Sequence, residues 1–173
     1  MKYDLVKALE ILVRTPQVLQ AQLSGLPEEW LHGDEGPGTW TPSQVIGHLI
    51  INEQTNFFPR TLLVFSNNTP MMLEPIDMTS HLHKFADHKI DDLLSQFAAL
   101  RNESVDRLVA LKVSSEDLRK TAIHPKVGTV QLSHILSTWV AHDLVHIGQI
   151  ARVMAKQYKD ETGPFIEFLP RLK

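Results

Sequence analysis

Four segments of this chain repeat their apolar residues at the 3.6-residue period of a helix, and none alternates convincingly as a half-buried strand must. The first spans about residues 3–23, where Leu5, Leu9, Leu12, Leu19 and Leu23 form one stripe. Thr15-Pro16 interrupts it, as a kink or as a cap with proline at the first helical position. A loop holding Gly33, Gly36, Pro37 and Gly38 leads to Thr41-Pro42, which starts a second helix running to about Phe65, with a bend expected at Pro59. Residues 66–86, with Asn67-Asn68, Pro70 and Pro75, read as a long connection without a packed element of its own. A third helix runs from about Asp87 to Lys112, presenting Ile90, Leu93, Leu94, Phe97, Leu108 and Leu111. Ser114 to Leu118 reads as a capped single turn, and His124-Pro125 through Gly128 as a loop. Thr129 reads as the cap of a last helix reaching about Tyr158, and the tail from Gly163 past Pro170 as extended chain over the bundle. The expected fold is all-α: an antiparallel four-helix bundle with a long connection between helices two and three.

The length of 173 residues suits one domain, 1–173, able to bury roughly two-thirds of the surface of its unfolded chain. With 17 Lys plus Arg against 20 Asp plus Glu, a net charge of −3 leaves no basic surplus for a phosphate backbone, so nucleic acid is not an expected partner. No stretch approaches the ~18 apolar residues of a membrane helix, and Met1 to Lys7 carries charge where a leader needs an apolar run. The expected location is the cytoplasm. Cysteine is absent, which removes disulfides, thiolate metal sites and a cysteine nucleophile together. Nine histidines remain, so any metal must be held by imidazole and carboxylate.

The last helix carries His142 and His146, four residues apart and therefore on one face, about 6 Å apart along the axis. At about 100° per residue, Leu132, Leu136, Trp139, Ile150 and Met154 centre the apolar face. His146 lies inside that arc, His142 on its edge, and Asp143 near its centre, where a lone buried carboxylate costs several kcal/mol. A cation or strong donor should therefore sit beside Asp143. Gln149 shares the side of His142 and is expected at the rim of the site. On helix two, His48 lies beside Val45 and Leu49 on a face that continues through Asn52, Asn56 and Arg60 to Leu63. An apolar stripe that turns polar in mid-helix implies an internal cavity lined by His48, Asn52 and Asn56, with Glu53 or Arg60.

Three neutral imidazoles on Zn²⁺, Ni²⁺ or Fe²⁺ leave positions open for water or substrate, as a catalytic site requires. Such a metal lowers the pKa of water or of an external thiol. Asn52 and Arg60 are then expected at the chemistry with Asp143, which would hold an imidazole tautomer or an arginine. Asn56, Glu53 and Gln149 are expected to bind substrate. Two other readings stay open: a non-catalytic metal- or small-molecule-binding bundle, and histidines hydrogen-bonded in a metal-free core. Of the remaining histidines, His81, His83 and His88 read as exposed loop residues, and His32 and His134 as incidental. His124 matters if its loop folds over the pocket.

Two segments together resemble the DinB-like superfamily. One is Gly36-Pro37-Gly38-Thr39-Trp40-Thr41-Pro42-Ser43-Gln44-Val45-Ile46-Gly47-His48-Leu49, the other Thr138-Trp139-Val140-Ala141-His142-Asp143-Leu144-Val145-His146-Ile147-Gly148-Gln149-Ile150. The resemblance implies a four-helix bundle with a divalent metal on His48, His142 and His146. It further implies a metal-dependent hydrolase, or a transferase or isomerase using a low-molecular-weight thiol, with a small-molecule substrate, and commonly a homodimer. Because this chain has no cysteine, such a thiol would arrive as cosubstrate.

Overall fold

The computed structural model describes residues 3–172, so Met1 and Lys2 of the charged N-terminal run lie outside it. Helix α1, Leu5–Leu12, is capped by Asp4, whose carboxylate accepts the Lys7 N–H at 3.2 Å. Helix α2, Thr15–Leu23, follows after a kink. Pro16 has no N–H to offer the Leu12 carbonyl, so α1 cannot continue through it. Thr15 is not a cap; its hydroxyl turns inward.

A short helix α3, Glu28–His32, precedes α4, Pro42–Thr55, which begins with reciprocal hydrogen bonds between Thr41 and Gln44. Helix α5, Phe57–Ser66, continues α4 after a break at Asn56. The break falls three residues before Pro59, the expected bend, because the proline ring acts on the carbonyl four positions upstream.

The connection that follows is not featureless. It contains strand β1, Met71–Met72, and helix α6, His81–Lys84, and it buries Leu73, His81 and Phe85. Helix α7, Ile90–Ala110, is the third long element, followed by the turn at Asp117–Arg119 that Ser114 and Asp117 cap mutually.

Strands β2, Thr121–His124, and β3, Gly128–Gln131, then form a hairpin, with β1 parallel to β2 on its other edge. Gly128 takes φ +75° at the end of the three-residue loop 125–127, a conformation glycine adopts without strain. Thr129 therefore lies in a strand, and the last helix α8, Leu132–Lys156, starts after Gln131, whose N–H donates to His134 Nδ1 at 3.3 Å. The tail consists of 3₁₀ turns over Asp160–Phe168, broken by a kink at Gly163, and Pro170–Leu172, rather than extended chain, and Leu172 is buried.

The expected four-helix bundle forms from α1/α2, α4/α5, α7 and α8. The first pair packs mainly on α7 and α8, and so does the second, which sets the two pairs diagonally across the bundle. Its apolar core divides into two clusters, one around Leu49, Phe97 and Ile150, the other around Leu12, Phe57 and Trp139. Arg101 stands between them, its guanidinium 5.0 Å from the Phe97 ring centre and 5.2 Å from that of Trp139. No helix among the described residues is long and apolar enough to cross a membrane.

Candidate metal centre

His48 on α4 and His142 and His146 on α8 bring their ligand atoms within 4.8 Å of one another. The Nε2 of His142 lies 3.2 Å from that of His48 and 3.1 Å from that of His146. Two nitrogens bound at ~2.05 Å to a tetrahedral ion would stand about 3.3 Å apart, so the donor set fits a small divalent cation.

Hydrogen bonds select the ligating tautomer. Gln149 Oε1, which can only accept, lies 2.8 Å from His146 Nδ1, so the proton sits there and the lone pair on Nε2. The Asn52 amide donates to His48 Nε2 at 3.0 Å, so that ring's proton sits on Nδ1, and an ion binding there would take the Nε2 lone pair from the amide. Burial, reinforced by the neighbouring imidazoles, pushes both His48 and His142 down to about 3, and burial lowers His146 as well. All three are therefore neutral near pH 7, as metal ligands must be.

From His48 a polar ladder climbs the helix. Asn56 Nδ2 donates to Asn52 Oδ1 at 2.6 Å, and one turn further Arg60 hydrogen-bonds the Glu74 carbonyl. This ladder forms one wall of a cavity of about 360 Å³ whose floor holds His48 and His142. Such a volume suits a small organic ligand. The facing wall is apolar: Leu73, Ile76 and Met78 come from the long connection, and Val127 and Val130 from the hairpin. Among the described lining residues there is no Asp or Glu, and Arg60 has no carboxylate partner. The expected cavity on the face of His48, Asn52, Asn56 and Arg60 is thus present. The loop of His124 does fold over it, and His134 also reaches its edge.

Three expected site residues lie elsewhere. Glu53 turns away from the cavity into the core, where its Oε1 accepts from Arg101 at 2.7 and 2.9 Å and from the Trp139 indole at 3.2 Å. It follows Asn52 by one residue, about 100° around the helix, and so faces α7 instead of the ligand. Asp143 touches no imidazole nitrogen and no cavity; Arg101 grips both its oxygens at 2.5 and 2.9 Å, and Thr15 donates to it at 2.7 Å. The arginine is the partner that its buried position demanded. Gln149 supports His146 and does not line the cavity.

Sequence reasoning missed Arg101 and His81. Arg101 occupies an inward position of α7 four residues after Phe97, a legible signal, since a cation in an apolar stripe needs an anion across the core. It spends all five of its N–H donors: two on Glu53 Oε1, one on each oxygen of Asp143, and one on the Leu12 carbonyl at 3.1 Å that Pro16 had orphaned. Burial alone would lower its pKa, but Asp143 and Glu53 outweigh that and hold it above the ordinary value. His81 is 1% exposed, not a solvated loop histidine. Its ring lies 5.3 Å from that of His48 and 4.6 Å from that of Trp40, which also covers His48.

Comparison with known proteins agrees with the fold. No curated protein matches the sequence. Among solved structures, that of YfiT from Bacillus subtilis, described as a probable metal-dependent hydrolase with an unusual four-helix bundle topology, matches with a TM-score of 0.77. The match covers 88% of this chain and 86% of YfiT at 19% identity, a likeness that establishes the shared fold. The family model of the DinB superfamily matches residues 11–150, a span containing all three histidines, and the chain belongs to that superfamily.

Proposed function

We propose that this protein is a metal-dependent enzyme in which His48, His142 and His146 hold a divalent ion, zinc, nickel or iron, at the floor of the cavity. The observation that carries the reading is the convergence of three neutral imidazole Nε2 atoms, two of them in rings whose tautomer a hydrogen bond sets, beside a cavity of small-molecule size. The ion, when bound, supplies the electrostatic activation that makes water or a low-molecular-weight thiol nucleophilic near neutral pH.

The chain's own residues do the rest. Asn52 and Asn56 offer amide groups along one wall to orient a polar electrophile. Arg60 presents a charged group at the far end of that ladder for an anionic substituent of substrate or cosubstrate. The hairpin and the β1 connection supply an apolar cover that keeps bulk water from the reacting groups. YfiT, described as a probable metal-dependent hydrolase, supports the hydrolytic form of this reading. The exposed Leu144 and Val145 on α8 support the homodimer as part of it.

The test is metal analysis of reconstituted protein combined with a screen of water and cellular thiols against esters and other small electrophiles. One ion per chain in the wild type, loss of that ion in His146→Ala with the helical spectrum retained, and metal-dependent turnover are the expected results. Full occupancy in His146→Ala would overturn the assignment.

A further inference from the structure

Three of the chain's arginines differ in what neutralises them. Arg101 has Glu53 and Asp143, and Arg152 has Glu35 at 2.7 Å. Among the described residues Arg60 has no carboxylate partner. It is half-buried in the lining of the cavity and donates to the Glu74 carbonyl, and burial lowers its pKa with no anion beside it to oppose the shift. A partly desolvated cation without a counter-ion is destabilising, and its guanidinium keeps donors beyond the one that Glu74 takes.

Two imidazoles add to this. The Lys126 N–H donates to His124 Nδ1 at 3.2 Å and the Gln131 N–H to His134 Nδ1 at 3.3 Å, so each ring carries its proton on Nε2 as a donor. Both residues line the same cavity. The ionisable residues of its lining are Arg60 and four histidines, with no Asp or Glu among those described, so an anion is matched there and an ammonium is not. The apolar wall of Leu73, Ile76, Met78, Val127 and Val130 suits a hydrocarbon body. At about 30 Å³ for each water-sized group, the cavity of about 360 Å³ holds roughly 12 non-hydrogen atoms.

We propose that the substrate of this site is a small amphipathic monoanion, a carboxylate whose acid group pairs with Arg60 and whose hydrocarbon body lies along the apolar wall. A zwitterion of the amino-acid kind is disfavoured, because its ammonium would lose water with no carboxylate to meet it. The inference deepens the enzymatic reading above, on which the word substrate rests. The anion subsite itself stands on Arg60 and the cavity, with or without an ion at the histidines.

The test is calorimetric titration of the full chain, metal-free and zinc-loaded, with octanoate, the neutral octanamide and the zwitterion 2-aminooctanoate. In metal-free protein, where no ion competes for the carboxylate, octanoate should bind about 10–100-fold more tightly than octanamide, the range that a charge-assisted pair contributes. The zwitterion should bind no better than the amide. In Arg60→Gln the preference for octanoate over octanamide should fall to near one, and Arg60→Lys should recover part of it. If Arg60 served only to hold the Glu74 connection, Arg60→Gln would weaken both ligands alike, and a preference kept in that variant overturns the proposal. Equal affinity for octanoate and octanamide in the wild type, binding of neither, or 2-aminooctanoate bound as tightly as octanoate also overturns it. Should Arg60→Gln fail to fold, the Arg60 Nε–H resonance of ¹⁵N-labelled wild type decides: octanoate must shift it and octanamide must not. Failure to bind zinc with the octanoate preference intact would refute the metal reading alone, because the preference is read in metal-free protein.

Discussion

Replacing Arg101 by methionine tests whether the buried charges hold the core together or serve the metal centre. Methionine approximates the arginine stem but leaves Glu53 and Asp143 without their cation, 5% and 0% exposed respectively. It also strands the Leu12 carbonyl at the Pro16 kink. Removing one partner of a buried ion pair costs about 3–5 kcal/mol, a large share of the roughly 5–15 kcal/mol that hold a domain together. In a chain of this size each kcal/mol moves the midpoint by about 2–4 °C, so Arg101→Met should lower Tm by roughly 6–20 °C.

Asp143→Asn should cost less, about 1–3 kcal/mol, because Arg101 keeps Glu53 and Thr15 keeps an oxygen to donate to. The double variant should be more stable than Arg101→Met alone, since the neutral amide no longer buries an uncompensated charge. The assay is urea denaturation of metal-free protein at pH 7, with zinc affinity measured on each folded variant. The structure requires lost stability with metal affinity largely kept in Asp143→Asn. A loss below about 1 kcal/mol in Arg101→Met, or metal affinity lost from Asp143→Asn at unchanged stability, would refute the assignment of Asp143 to Arg101.

Two further outcomes follow from the site. His48 and His142 stay neutral in the folded chain down to about 3 but take up protons near 6.5 when unfolded, so the unfolded state binds more protons between those values. Their contribution is therefore present above about pH 6.5 and is lost as pH falls toward 3, at about 1.4 kcal/mol per pH unit for each ring. Urea titrations of metal-free protein at pH 7 and pH 5 measure it, and equal stability at both would contradict the burial of these rings. Removing metal should leave the helical circular-dichroism signal intact, because both apolar clusters close without the ion. Adding it back at a hundred times Kd should restore about 2.7 kcal/mol. Unfolding of the metal-free chain would make the site structural instead.

The bundle and the shared face of His142 and His146 were legible in the sequence because they depend on local geometry. A helix closes its hydrogen bonds four residues back, so the spacing of His142 and His146 places both on one face whatever surrounds them. The same rule carried His48, Asn52, Asn56 and Arg60 onto a common line, and the loss of one N–H at Pro16 broke the first helix. Local geometry also showed that Asp143 points inward and needs a partner.

Which partner was a tertiary matter. Arg101 is 42 positions away in the chain, and only the packing of α7 against the kink of α1/α2 puts it between Asp143 and Glu53. Glu53 looked available to substrate until α7 claimed its carboxylate. The strands at Thr121–His124 and Gly128–Gln131 are four residues each, too short for alternation to register, and β1 finds β2 some fifty residues on. His81 has no helical neighbour that marks it as buried; the approach of α6 to Gly47 decides that. Helical faces follow from hydrogen bonds made within a few residues. Strand pairing, buried ion pairs and the burial of His81 draw their partners from distant segments, and the folded chain alone brings those together.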